Sequence, residues 1–153
     1  MQTKIIFGGG IAAVLALPPT VFLATALGSG LDLGASLAAL VAQYGAERLN
    51  LGVVTGLGLA PVLLLGLCLW LLGRFGIKRG SLGVFAASGL VPIVAVILWA
   101  HLDYWPHFLP DRRSPGFPHG LELIIGPLVF APVGMAVGLL TAWVGLAVKR
   151  PTV

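Results

Sequence analysis

Charge is what this sequence has least of. Only 9% of its 153 residues are Asp, Glu, Lys or Arg, while 58% are apolar; soluble domains carry roughly 25% charged residues. So few charges cannot cover the core of a water-soluble fold of this length. Lipid is therefore the solvent, and an ordinary soluble domain is excluded. Asp, Glu, Lys, Arg and His are absent altogether from four runs: Ile5 to Leu31, Leu51 to Leu72, Leu82 to Ala100 and Leu123 to Val148. Charges buried in lipid are costly and usually mark ion or proton paths. Their absence argues against a proton pump, an ion-coupled transporter or a voltage sensor built from this chain alone. It also removes the inward-facing histidine pair that a self-contained membrane haem uses. One cysteine, Cys68, excludes an internal disulfide. The nine Lys and Arg are scattered at run ends rather than clustered on one face, so nucleic acid is not an expected partner. No internal repeat relates the runs.

What is there reads as an all-α integral membrane protein, a single membrane domain over residues 1–153. A span needs about 20 apolar residues. The pattern predicts four transmembrane helices at about 5–27, 51–72, 82–101 and 122–148. A signal peptide competes for the first, because Ala24-Thr25-Ala26 offers small residues for cleavage. The apolar stretch is longer than such a peptide uses, which favours an uncleaved span. Prolines fall in every span (Pro18, Pro19, Pro61, Pro92, Pro127 and Pro132) and are expected to bend the helices while packed neighbours satisfy the freed carbonyls. Between spans one and two, Asp32 is a helix cap. Leu33, Leu37, Leu40, Val41 and Tyr44 follow at helical spacing, with Ser36, Gln43 and Glu47 off that face. This predicts a short amphipathic interfacial helix over about 33–48, with a re-entrant segment as the alternative.

Orientation follows from the sorting of charge. With the N-terminus cytoplasmic, Lys4, Arg74, Lys78, Arg79, Lys149 and Arg150 lie inside. Arg48, Arg112, Arg113 and all the acidic residues lie outside. The Lys/Arg excess sets topology, so both termini are expected to be cytoplasmic. Trp70 and Trp143 then mark the inner interface; Trp99, Tyr104 and Trp105 mark the outer one.

Specific chemistry concentrates in the outer loop over 101–120, which holds every histidine of the chain and Pro106, Pro110, Pro115 and Pro118. Three readings compete for it. Metal or haem ligation would use His101, Asp103, His107 and His119, although in a helix His101 and His107 point about 240° apart. Surface hydrolysis or transfer would use a histidine oriented by Asp103 or Asp111, with Ser114 as nucleophile. Partner recognition would use Trp105, Phe108, Arg112, Arg113 and Phe117, aromatic and arginine anchors on a proline-ordered segment. The bland counterpart is an aromatic lid on the headgroups. Within the spans, Gly52 and Gly56, and Gly134 and Gly138, have the four-residue spacing of close helix packing.

The expectation is a non-catalytic accessory or structural subunit of a bacterial inner-membrane complex. Its periplasmic loop and spans would dock other membrane subunits, so complex assembly is the implied role and the lipid bilayer a constant partner. A metal- or haem-binding protein using the loop histidines is the alternative, and a membrane-surface enzyme the third. No residue pattern demands a cofactor.

Overall fold

The computed structural model describes residues 2–47, 50–109 and 119–148. The described residues are helical and turn, with no strand. The order is α1 (Gln2–Gly28), α2 (Leu33–Tyr44), α3 (Leu51–Arg74), α4 (Arg79–Phe108), α5 (Glu122–Ile125), a π-helical turn at Gly126–Phe130 and α6 (Ala131–Val148). The last three elements make one rod, Glu122–Val148. Four helices, the three long ones and this rod, are long and apolar enough to cross a membrane. The chain is thus a multi-pass membrane protein by length and composition. We call the end of the bundle holding Lys4, Arg74, Lys78 and Arg79 the Arg74 end, and the opposite end the His101 end.

Local signals fix the joints. Asp32 accepts a hydrogen bond from the Ala35 N–H at 2.8 Å and caps α2. Asn50 does more. Its Oδ1 accepts from the N–H groups of Gly52 and Val53, at 2.8 and 3.3 Å, capping α3. Its Nδ2 donates to the Tyr44 and Ala46 carbonyls at the end of α2. One side chain therefore closes one helix and opens the next. At the Arg74 end, Gly76 takes φ 85°, and the Ile77 N–H reaches back to the Leu72 carbonyl at 3.1 Å. This left-handed stop is one that glycine adopts without strain.

Pro18 and Pro19 sit inside an unbroken α1, Pro61 inside α3 and Pro92 inside α4. In the last span the Ala131 N–H donates to the Gly126 carbonyl, five residues back. Pro132, one residue further on, has no N–H to restore the normal ladder. Gly126, lacking a side chain, backs this turn onto Ala100 and Val96 of α4.

Lipid gives no hydrophobic drive between helices, so close contact must do the work. Gly138 lies directly on the Ser88 carbonyl and Gly134 on Pro92, which brings α6 against α4. Gly52 lies against its own cap, Asn50, and near Tyr44, whereas Gly56 faces open space. Two buried clusters result. The one toward the Arg74 end is purely apolar, built around Val62, Leu65, Phe85, Ile93 and Met135. The one toward the His101 end holds Phe22, Leu51, Tyr104, Trp105 and Leu123. The buried polar residues Ser36, Gln43, Thr55 and His101 all belong to this second half; Thr55 answers its hydroxyl with the Leu51 carbonyl at 2.7 Å.

Two expectations need correction. The third span does not end at His101: α4 continues through His101, Pro106 and His107 to Phe108, 30 residues in all. At 1.5 Å per residue that is about 45 Å, against a hydrocarbon core of about 30 Å. The short helix, expected to reach about residue 48, ends at Tyr44. Ser36, Ala39 and Gln43 are buried against the bundle. Leu33, Leu37, Val41 and Tyr44 face outward, with Val41 71% exposed. The period was right, but the apolar side turns away from the protein. That is the stable choice only where the surroundings are themselves apolar.

Candidate functional site at the His101 end

The last two turns of α4 have two faces. His101, Tyr104, Trp105 and Phe108 recur at i, i+3, i+4 and i+7, so one stripe carries all four toward α1. Trp105 is wholly buried and central to it. Its ring meets Phe22 edge-on at 4.9 Å between centroids, Tyr104 at 4.9 Å and Phe108 at 5.6 Å. Its Nε1–H donates to His101 Nδ1 at 2.8 Å. An accepting Nδ1 places the proton of a neutral imidazole on Nε2. This aromatic knot holds the last turns of α4 to the bundle.

The opposite face carries Leu102, Asp103, Pro106 and His107, all exposed. Pro106 has no N–H for the Leu102 carbonyl, and Leu102 lies on this open face where that loss is cheap. His107 Nδ1 bonds the Asp103 carbonyl one turn back at 2.8 Å. A carbonyl only accepts, so Nδ1 carries the proton and the Nε2 lone pair is free.

The chain returns to this face at His119. Gly120 has φ 96°, a turn that few other residues tolerate. Its N–H donates to Glu122 Oε2 at 2.8 Å. The turn sends His119 and Glu122 to the same side, next to Asp103. One ligand atom from each of Asp103, His119 and Glu122 falls within 4.8 Å of the other two. The His119 ring also stacks with His107, at 5.4 Å between centroids and 27° between planes. The other Glu122 oxygen, Oε1, is shielded from solvent and has no hydrogen-bond partner among the described residues.

The predicted site residues thus divide. Asp103, His107 and His119 are gathered on one exposed face. His101 is on the far side of the same helix, buried and bonded to Trp105. Glu122, read from the sequence only as a span-edge acid, joins the cluster. Its signal was the spacing from His119 across a glycine. Of the proposed partner anchors, Trp105 is not exposed, since it packs the bundle, and Phe108 is half-buried beside it. Arg112, Arg113 and Phe117, with Asp111 and Ser114, lie outside the described residues. The Arg74 end offers a different feature, an apolar hollow of about 400 Å³ lined by residues including Cys68, Phe75, Phe85 and Trp143. Nothing polar faces it. Set against family models, curated proteins and solved structures, the chain matches none of them.

Proposed function

We propose that the chain is a non-catalytic accessory subunit of a bacterial inner-membrane complex, with both termini cytoplasmic and the His101 end outside. The observation that carries this reading is the two-faced end of α4. A rod about 15 Å longer than the hydrocarbon core, braced by Phe22 and Trp105, presents a polar face in an otherwise apolar molecule. Rigid presentation lowers the ordering cost of docking. The exposed apolar residues along all the spans suit acyl chains and partner helices equally, and the outward leucines of α2 suit acyl chains.

The docking surface in this reading is Leu102, Asp103, Pro106 and His107 of α4. Trp105 braces it from behind. Purification in mild detergent should retain a stoichiometric partner, and a photo-crosslinker placed at Leu102 should capture that partner in cells. A monodisperse chain that captures nothing from Leu102 overturns the reading. Orientation is tested separately: in a Cys68→Ala background, Ser114→Cys should react with an impermeant thiol reagent in spheroplasts. Reaction only after lysis reverses the topology.

A further inference from the structure

We propose that Asp103, His119 and Glu122 form a binding site for a divalent transition-metal cation of the zinc class, with His107 as fourth ligand. The donor set is the first argument. One or two imidazoles with two carboxylates suit zinc and its neighbours, whereas calcium and magnesium favour all-oxygen shells.

Geometry is the second. Ligand atoms around a tetrahedral zinc, with bonds of about 2.0–2.2 Å, sit roughly 3.4 Å apart. The three atoms already lie within 4.8 Å of one another, on side chains that can turn. The His107 ring lies 5.4 Å from that of His119, outside the cluster of three, and joins it by turning toward the ion. His107 already makes the outer bond that metal-binding histidines make: its Nδ1–H is held by the Asp103 carbonyl, which leaves Nε2 as the nitrogen for a metal. Glu122 is likewise prepared. Gly120 holds Oε2, and Oε1 lies shielded with no partner of its own among the described residues.

Charge is the third argument. Two carboxylates converge here, while the described basic side chains of Lys4, Arg74, Lys78 and Arg79 lie at the far end of the bundle. A cation satisfies both acids. It also ties the end of α4 to the start of the last span. The site does not depend on the chain being a subunit of anything.

The test uses the full chain in detergent, stripped with a chelator, then titrated with Zn²⁺ against a chromogenic competitor and with Co²⁺ by visible absorption. The expected result is one saturable site per chain with four-coordinate Co²⁺ bands. His119→Ala and Glu122→Gln should each weaken binding at least tenfold, with His107→Ala also weakening it. Glu47→Gln should not change it. Helicity by circular dichroism shows that each variant is folded; His107 and His119 are exposed, and Glu122→Gln keeps the shape of a half-buried side chain. No saturable binding by the unaltered chain overturns the site, as does binding unchanged in both His119→Ala and Glu122→Gln.

Discussion

Replacing Trp105 with alanine should be among the most damaging single changes in this protein, and the size of the effect can be worked from its surroundings. Trp105 is fully buried and makes edge-to-face contacts with Phe22, Tyr104 and Phe108. Such pairs contribute about 0.5–1.5 kcal/mol each, so the three together contribute about 1.5–4.5 kcal/mol. Truncating a buried aromatic to alanine costs about 3–5 kcal/mol once the cavity is included. In lipid that loss is packing rather than water exclusion, and dispersion alone keeps it large. A chain of this length loses about 2–4 °C of melting temperature per kcal/mol, so Trp105→Ala should melt at least about 6 °C lower. Cys68 supplies the assay. It is the sole cysteine and half-buried, so a thiol-reactive fluorophore reports its exposure on heating in detergent. Trp105→Phe separates the two roles of the side chain. It keeps most of the ring but removes the donor to His101 Nδ1, leaving a buried acceptor at a cost of about 1–3 kcal/mol. Trp70→Ala is the comparison, because Trp70 is 58% exposed and should shift melting by less than about 2 °C. Equal shifts for Trp105→Ala and Trp70→Ala would refute the aromatic brace.

Two further outcomes follow from the packing. Gly138→Ala sets a methyl against the Ser88 carbonyl and should cost about 1–3 kcal/mol as overpacking, while Gly56→Ala meets nothing and should leave melting unchanged in the same fluorescence assay. A nitroxide attached at Val41 should be broadened by a lipid-soluble relaxation agent far more than one at Gln43, because Val41 faces outward and Gln43 inward; the reverse order would restore the opposite orientation for α2.

Much of this architecture was legible as periodicity and length. The four spans follow from runs without charge, and the Asp32 cap from residue type. The end of the third span was not, because His101, Asp103, Pro106 and His107 resemble a loop. What keeps them helical is side-specific. The stripe from His101 to Phe108 is aromatic and buried, and the proline falls on the open face where a missing N–H costs little. The same stripe explains why Trp105 was expected outside: its neighbours in sequence are polar, but its neighbours at helical spacing are aromatic. For α2 the period was visible and the direction was not, since a pattern of apolar and polar faces does not say which one the protein takes. Glu122 escaped notice because Asp103 arrives from another helix, and His119 reaches the same side only through the left-handed turn at Gly120.

The outward turn of α2's apolar side bears on how the molecule holds together. Gln43 lies on the hidden side of that helix. Were α2 to lift away into an apolar medium, this amide would meet nothing able to hydrogen-bond it. The segment is thus latched from behind: its leucines and valine would dissolve in any greasy surrounding, and one concealed amide is what keeps it home.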